Sequence, residues 1–312
     1  MSRDACVSAI MSNMPSPVLD CAFAPGPLTN AIIEGRIGLA GHQTRHHALP
    51  LHEIFDRAFA DAPFDLCELS FGRYVAAIGG DRTKLQYVAL PVFPLRRFRH
   101  GIIYVRDDAG LSGPEDLAGR RIGCASWAQT ALVTARGHLL DENGISATSI
   151  DWVLGGVNRP TAPVAPRLHR AAIRIAVETD RSLAMLLAMR EIDAIMALEA
   201  PVPPAGSTLR FRTLVSDPTA AASAALARSG FVPIMHVIAA RRTRLDAEPG
   251  LASAAVQSFE RARALAAAAG DADATLSPVG LDENRSAIAA MVRHAHDQGL
   301  LAAPVPAEEL FV

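Results

Sequence analysis

Arginine and histidine stand close together in the segment Arg97-Phe98-Arg99-His100, where they could bind an anion and transfer a proton. In an extended segment alternate side chains share a face, so Arg97 and Arg99 lie on one side and His100 lies on the other. The planar guanidinium group suits bidentate binding of a carboxylate. We therefore predict a carboxylate clamp at Arg97 or Arg99, with a solvated sheet edge as the alternative.

A second set of polar side chains ends a short apolar strand. Glu68 and Ser70 stand where that strand gives way to a helix, and open α/β sheets bind ligands beyond the carboxyl ends of their strands. A carboxylate at the end of an apolar strand needs a partner, because an unpaired buried charge is costly. We expect Glu68 to orient His100 or His236, or to pair with an arginine. Ser70 could contact a ligand, cap the helix, or do both.

A third set stands at the start of a predicted helix, Ser126–Leu140, which follows the strand Arg121–Cys124. The free N–H groups at a helix start can bind an anion. Gln129 and Thr130 could add side-chain contacts to that anion. Ordinary capping of the helix by Ser126 is the alternative for that residue.

The remaining histidines carry weaker signals. His236 lies inside the apolar strand Pro233–Ala240, where a hydrogen-bonded core histidine is the usual interpretation, although a histidine also suits acid–base chemistry near neutral pH. The histidines His42, His46, His47 and His52 match no metal-binding motif and favour a flexible surface loop, so no metal site is expected. His294 and His296 fall on different faces of the last helix, which indicates surface positions.

Composition excludes several classes of protein. The formal net charge is −2, from 30 basic and 32 acidic residues, which argues against a nucleic-acid or polybasic membrane partner. Lys84 is the only lysine, so Schiff-base chemistry with pyridoxal phosphate is not expected, and no cofactor is predicted. The four cysteines form no CxxC pair, the first residues do not resemble a secretory signal, and no apolar run approaches the roughly 18 residues of a membrane span. These features predict a cytoplasmic protein.

Chain length and element order predict an α/β fold in two lobes. At 312 residues the chain is longer than a domain with a single hydrophobic core usually is. Alternating strands and helices indicate parallel sheets with crossover helices. The order predicts one discontinuous lobe from residues 1–105 plus 218–312, and a second lobe from residues 106–217. The predicted strands are Val18–Ala24, Asp65–Leu69, Tyr87–Val92, Gly101–Val105, Arg121–Cys124, Ser149–Leu154, Ile192–Met196 and Pro233–Ala240. The predicted helices include Leu51–Ala60, Ser70–Ile78, Ser126–Leu140, Asp180–Arg190, Leu251–Ala269 and Arg285–Gln298.

Two segments resemble the periplasmic-binding-protein type II architecture. Residues Pro114 to Gly123 are similar to the helix-turn-strand that opens the second lobe of such proteins, and Met185–Ala194 resembles a later helix-to-strand step. The resemblance implies a two-lobed α/β protein with a ligand cleft between its lobes. Both segments occur in importers and in enzymes, so they specify the fold and not the function.

A narrower resemblance covers most of the chain, which is similar to the 4,5-dihydroxyphthalate decarboxylase family. The matching blocks are Phe64–Ser70, Leu90–Pro94, Arg97–His100, Tyr104-Val105, Thr130-Ala131, Arg136-Gly137, Trp152 with Gly155-Gly156, Pro233–His236, Glu283–Arg285 and Gln298–Leu300. The resemblance implies decarboxylation of a hydroxylated aromatic acid, with protonation of the ring carbon as CO2 leaves. It makes His236, His100 and Glu68 the candidate catalytic residues. It also implies a set of substrate-binding residues: Arg97, Arg99, Ser70, Ser126, Gln129, Thr130, Arg159 and Arg285.

The chain also departs from the family pattern. An acidic-basic, tyrosine-containing segment of the family is Ala22–Pro27 here, its Glu and Tyr positions are Ala220–Ala225, and a Trp-Pro-Tyr-Gly-like turn is Ser277–Gly280. These departures predict a divergent member whose polar substrate contacts have changed. The alternative is a non-catalytic solute-binding protein for an aromatic or dicarboxylic acid. The predicted partner of the enzyme is a small aromatic carboxylic acid, and a homo-oligomer is compatible with both functions.

Overall fold

Strands and helices alternate along residues 18–312, which are the residues that the computed structural model describes. Cys6 and the predicted absence of a secretory signal concern residues outside this range. None of the described helices combines the length and apolar character needed to cross a membrane.

The strands of the described chain are short, and most are buried at their centres. They are β1 (Leu19–Ala22), β2 (Thr44–His46), β3 (Leu66–Ser70), β4 (Tyr87–Ala89), β5 (Ile103–Arg106), β6 (Arg121–Cys124), β7 (Asp151–Leu154), β8 (Arg174–Val177), β9 (Ala194–Met196), β10 (Phe211–Thr213) and β11 (His236–Arg241).

The helices range from single turns to five turns. They are α1 (Asn30–Ile33), α2 (Leu51–Ala60), α3 (Phe71–Ile78), α4 (Thr130–Asn143), α5 (Leu183–Ala188), α6 (Pro218–Ser229), α7 (Arg242–Ala247), α8 (Leu251–Ala268), α9 (Ala272–Thr275) and α10 (Arg285–Asp297). Helix α4 ends at Gly144, which takes a left-handed conformation with φ of 70° and returns its N–H to the last turn.

The strands form two mixed sheets. The first has the order β2-β1-β3-β11-β4, with β1 parallel to β2 and β3 and with β4 antiparallel to β11. The second has the order β10-β5-β9-β6-β7-β8, in which β6 runs parallel to β7 and β9, and β7 runs parallel to β8. Strand β5 is antiparallel to β9 and β10. The predicted α/β class is therefore confirmed, with antiparallel strands added to the expected parallel ones.

The described chain divides into two compact units. The first holds the described residues up to Glu68 together with Gln86–Pro94 and Ile238–Val279, and the second holds Leu69–Leu85, Leu95–Val237 and Gly280–Val312. All strands of the six-stranded sheet lie between residues 103 and 213, close to the predicted second lobe, whereas the units divide at other positions. The lobe bounds 1–105 plus 218–312 and 106–217 therefore stay a prediction.

Each unit has its own apolar core. In the first unit Phe23 packs edge-on against Phe259 of α8, with ring centroids 5.4 Å apart. In the second unit the buried face of α5 packs on β9 through Leu183, Leu187 and Ile195. Full burial of one such side chain stabilises the fold by roughly 1.5–3 kcal/mol, so these clusters hold the sheets that carry the polar residues.

Several sequence-based boundaries differ from the structure. The bounds of α2 and β6 are those predicted, whereas the strands β2, β8 and β10 and the helices α1, α6, α7 and α9 were not predicted. The three strands are short and mostly exposed or half-buried, so only pairing with a neighbouring strand reveals them. The prediction that a helix begins at Ser126 is wrong: α4 begins at Thr130, four residues later.

Candidate functional site

Two helix starts meet in the second unit at a pair of buried hydroxyl groups. The Ser70 and Thr130 hydroxyl oxygens are 2.9 Å apart, and Thr130 Oγ1 accepts a hydrogen bond of 2.8 Å from the Gly72 N–H in the first turn of α3. Ser70 occupies the predicted N-cap position of α3, but its side chain makes no capping bond to that helix. The side chain at the start of α4 therefore caps α3, which fixes the two helix starts together.

The close approach of these helices depends on a glycine. A Cβ atom on Gly72 would lie 2.9 Å from both the Ala128 carbonyl oxygen and the Thr130 Cα atom. Both are backbone atoms that cannot rotate away, so any larger residue would push the helix starts apart.

The loop that precedes α4 is held by buried polar contacts. Trp127 donates from its indole N–H to the Gln298 carbonyl at 3.0 Å, and the Arg136 guanidinium lies 4.0 Å from the Trp127 ring and bonds to its carbonyl oxygen. Burial lowers the pKa of Arg136 to about 10. The predicted contact residues Ser126 and Gln129 are half-buried in this loop, and neither caps the helix with its side chain.

His236 lies opposite Ser70 in the five-stranded sheet. The Phe71 N–H donates to the Met235 carbonyl at 3.1 Å, and at the other end of the same strand pair the Arg241 N–H donates to the Asp65 carbonyl at 2.8 Å. These bonds show that β3 and β11 are antiparallel and place Ser70 directly across from His236. Such non-hydrogen-bonded pairs have Cα atoms roughly 4.5 Å apart with side chains on one face. Tertiary structure thus joins two predicted site residues that are far apart in the chain.

Arg99 is a half-buried cation without a carboxylate partner among the described residues. Its Nε atom contacts Met235 Sδ at 3.2 Å. Burial, and then the charge of the neighbouring Arg97, lower the pKa of Arg99 to about 10. Removing a guanidinium from water without a counter-charge is costly, so Arg99 is suited to an anionic ligand. Arg97 is exposed, and its N–H donates to the Pro233 carbonyl.

The other predicted site residues lie in different surroundings. Glu68 is buried in the first unit and accepts a bond of 2.9 Å from the Ala24 N–H. Arg159 is exposed in the loop after β7, near the carboxyl ends of the parallel strands β6 and β7. Arg285 is exposed and pairs with Asp282 at 3.0 Å and with Glu308. Two carboxylates already compete for the charge of Arg285, so it is less suited than Arg99 to a substrate anion, and its role as a contact stays a prediction.

His100 belongs to a separate cluster with His138 and Glu142, here called the His100 cluster. His100 Nε2 lies 3.1 and 3.2 Å from the two Glu142 carboxylate oxygens, and His138 Nδ1 lies 3.5 Å from one of them. The two imidazole rings are stacked, with centroids 4.4 Å apart. Burial, and then His100, lower the pKa of His138 to about 4. The expectation that Glu68 orients His100 is therefore replaced by pairing with Glu142.

A cavity of about 220 Å³ opens beside the His100 cluster. Its apolar wall includes Phe98, Phe231 and Met291, and its polar wall includes His138 and His294. His294 is buried and lies 2.8 Å from Asp141, so its predicted surface position is wrong. Its ring occupies the space beside Gly137, where a Cβ atom would lie 2.2 Å from the ring.

Sequence reasoning missed six polar residues of this cavity, namely Thr134, His138, Asp141, Glu142, Arg228 and Ser229. His138 and Glu142 are four residues apart on α4 and therefore share a face, which is a signal that the sequence carried. The pairing of Asp141 with His294 and with Arg293, at 2.7 Å, joins α4 to α10 and has no local signal. The histidines predicted to lie in a flexible surface loop are ordered: His46 is in β2, and His47 lies 2.7 Å from Asp20.

Comparison with known proteins identifies the family. No protein-family model matches the chain. The chain is 35% identical over 237 residues to the 4,5-dihydroxyphthalate decarboxylase of Comamonas testosteroni. The aligned region covers 75% of this chain and 71% of that protein. The chain belongs to the 4,5-dihydroxyphthalate decarboxylase family. Another relative, the 4,5-dihydroxyphthalate decarboxylase of Pseudomonas putida, is 33% identical over 200 residues, covering 62% of this chain and 74% of that protein.

Solved structures agree on the fold of this decarboxylase-family chain. The periplasmic aliphatic sulphonate binding protein SsuA of Escherichia coli superimposes with a TM-score of 0.52 at 12% identity, over 95% of this chain and 92% of that one. The sulfonate-binding protein SsuA of Methylobacillus flagellatus gives 0.50 at 12% identity, over 95% and 91% of the two chains. The predicted periplasmic-binding-protein architecture is confirmed. At this identity the likeness concerns the fold alone.

Proposed function

We propose that the protein is a carboxy-lyase that removes CO2 from a hydroxylated phthalate or a closely related hydroxyaromatic acid. The observation that carries the proposal is the 35% identity with a 4,5-dihydroxyphthalate decarboxylase over three quarters of the chain. In this reaction the bond between the ring and the carboxylate carbon breaks, and its electron pair stays with the ring carbon. That carbon takes up a proton, because a free aryl carbanion is too unstable to be released.

The substrate carboxylate is assigned to Arg99, with Arg97 as a second cation. Support comes from the half-buried guanidinium of Arg99, which lacks a carboxylate partner among the described residues. A bidentate contact would hold the carboxylate in a fixed orientation. Ser126 and Gln129, in the loop before α4, could add hydrogen bonds to the substrate, and Ser70 and Thr130 stay predicted contacts at the adjoining helix starts. Arg159 stays a prediction as a contact from the next loop.

The ring proton is assigned to His236. One support is its position across from Ser70, at the carboxyl end of β3, where α3 begins. The other is that imidazole can donate and accept a proton near neutral pH. Glu68 precedes Ser70 by two residues in β3, and alternate residues of a strand share a face. Glu68 stays a predicted positioning residue for the acid. His100 is the second candidate for the acid, and its contacts with Glu142 favour a different role.

The test is CO2 release by the purified protein with a panel of hydroxylated phthalates and hydroxybenzoates. We expect stoichiometric CO2 and the ring-protonated product from at least one compound, without an added organic cofactor. A panel that binds tightly while no member loses CO2 would contradict the enzyme and support the solute-binding alternative. The cytoplasmic location and the lack of nucleic-acid and membrane partners stay predictions.

A further inference from the structure

The His100 cluster gathers ligands of the kind that transition metals prefer. His138 and Glu142 are four residues apart on α4, so both side chains leave the same face of one helix. His100 comes from the turn before β5 and lies above the same carboxylate. One ligand atom from each residue lies within 4.8 Å of the other two. The cluster therefore needs no rearrangement of the backbone to surround an ion.

The distances match the edges of a small coordination polyhedron. Zinc bonds to imidazole nitrogen and carboxylate oxygen at roughly 2.0–2.2 Å, so two ligands of a tetrahedral site are about 3.3–3.6 Å apart. His100 Nε2 lies 3.1 Å and His138 Nδ1 lies 3.5 Å from Glu142 Oε1. An ion bound by all three side chains would therefore lie close to Glu142, and the two stacked rings would have to rotate towards it about their side-chain bonds.

The charges of the cluster also suit a cation. The two imidazoles are stacked at 4.4 Å, and imidazole nitrogen together with carboxylate oxygen is a donor set that transition metals accept. His100 is buried, and its Nδ1 atom and His138 Nε2 have no hydrogen-bond partner among the described residues. Within the described chain, each ring therefore makes its polar contact through the nitrogen that faces Glu142, and both rings also pack near Phe98.

We propose that His100, His138 and Glu142 bind one divalent transition-metal ion, with zinc as the expected ion. Three protein ligands leave a fourth coordination position open. The adjoining cavity is lined by His138 and Glu142 and has room for a water or a small oxygen ligand at that position. This inference goes beyond the proposed decarboxylation and does not depend on it.

The neighbouring charged groups leave the ligands accessible. Arg228 lies 3.0 Å from Glu142 Oε1, and its side chain is 54% exposed, so it can turn into solvent when an ion binds. Asp141 is already held by Arg293 and His294, which leaves it outside the ligand set. These contacts make His294 a matched control, because it is a buried histidine beside a carboxylate in the same cavity.

The test measures metal binding directly. Full-length protein is stripped with a chelator and then titrated with Zn²⁺ by calorimetry and with Co²⁺ by visible absorption. We expect one equivalent of tightly bound metal, a visible Co²⁺ band of a four-coordinate N/O site, and a higher Tm with Zn²⁺. His138→Gln and Glu142→Gln should each weaken binding on the order of 100-fold or more.

Controls separate this site from other histidines. His294→Gln should bind Zn²⁺ as the wild type does, and the exposed His52→Gln should too. Circular dichroism of each metal-free variant checks that loss of binding is not loss of fold. The assignment is overturned if the wild type binds no stoichiometric metal, if the His138 and Glu142 variants bind normally, or if His294→Gln loses binding to the same extent.

Discussion

The two polar neighbourhoods of the second unit differ in what they offer a ligand. Around Ser70 and Thr130 the available chemistry is mainly that of donors, namely the paired hydroxyl groups and the guanidinium of Arg99, which lacks a carboxylate partner among the described residues. Around His138 and Glu142 it is that of acceptors, namely imidazole lone pairs and a carboxylate. The first neighbourhood suits an anion such as an aromatic carboxylate, and the second suits a metal cation.

The comparison shows that the ion pairs of a charged side chain, and not its residue type, indicate whether it stabilises the fold or could bind a ligand. Arg285 and Arg99 are both arginines of family-like segments, yet only Arg285 is neutralised by two carboxylates. An ion pair of an exposed arginine contributes little to stability, and a ligand carboxylate would have to compete with the carboxylates already bound there. Asp141 is held by Arg293 and His294, whereas Glu142 contacts the stacked imidazoles and the exposed Arg228.

The largest expected effect is the loss of the proposed proton donor, His236, which lies across from Ser70. His236→Gln should lower the single-turnover rate by roughly 10²–10⁴-fold, because a general acid acts on the reaction step. Substrate affinity should change only a few-fold. The measurement is rapid-quench turnover beside calorimetry, with the exposed His52→Gln as control. Full turnover in the variant would identify His236 as a packing residue and transfer the acid role to His100.

Next in size is the loss of the anion clamp. Arg99→Ala should weaken substrate binding by roughly 2–5 kcal/mol, since a substrate carboxylate would be left buried and unpaired. Arg99→Lys should recover only part of this loss, because an ammonium group cannot replace the planar fork. Arg285→Ala is the comparison and should bind within a few-fold of wild type by calorimetry. Equal losses in both alanine variants would contradict the distinction drawn from their ion pairs.

A smaller effect is expected where the two helix starts are joined. Thr130→Val should lower the free energy of unfolding by about 1–3 kcal/mol, because the Gly72 N–H and the Ser70 hydroxyl lose a buried partner. Chemical denaturation measures the change. The exposed Thr44→Val in β2 should alter stability by less than about 0.5 kcal/mol. A Thr130→Val protein as stable as wild type would show that the shared hydroxyl does not hold the helices.

The smallest expected effect is on stability, and it depends on pH. It concerns Asp141, the cavity residue that pairs with His294 and Arg293. Burial raises the pKa of Asp141, but hydrogen bonds from His294 and Arg293 outweigh it and hold that pKa well below its usual range. The stabilisation is therefore complete above the unfolded-state pKa of roughly 4 and is lost as the pH falls below it. After allowance for solvent screening, Asp141→Asn should destabilise by about 1 kcal/mol at neutral pH.

Denaturation at neutral pH and in acid tests this expectation. The gap between wild type and Asp141→Asn should shrink as the pH falls, because the wild-type carboxylate becomes protonated. Asp61 is exposed and has no arginine partner among the described residues, so Asp61→Asn should stay within about 0.5 kcal/mol of wild type. A gap that grows in acid would show that the Asp141 pairs do not stabilise the fold.

Local sequence signals predicted much of the fold because they depend on near neighbours. The amphipathic spacing of Leu51–Ala60 gave the bounds of α2, and the apolar run before Ser70 gave β3 to within a residue. Helix α6 has a local cap, with Asp217 accepting from the Ala220 N–H at 2.9 Å, but its alanine-rich sequence hides the apolar face that normally identifies a helix.

The sequence by itself determined the α/β class, the family and the residue types needed to bind and protonate an aromatic acid. Tertiary structure alone decided which of those residues meet. Ser70 reaches Thr130 and lies across from His236 only because strand pairing and helix packing bring together segments separated by 60 and 166 residues. Likewise His100 meets His138 and Glu142, and Arg285 meets Glu308, through contacts that no local pattern encodes. Burial and pairing depend on long-range packing, whereas residue type and periodicity do not.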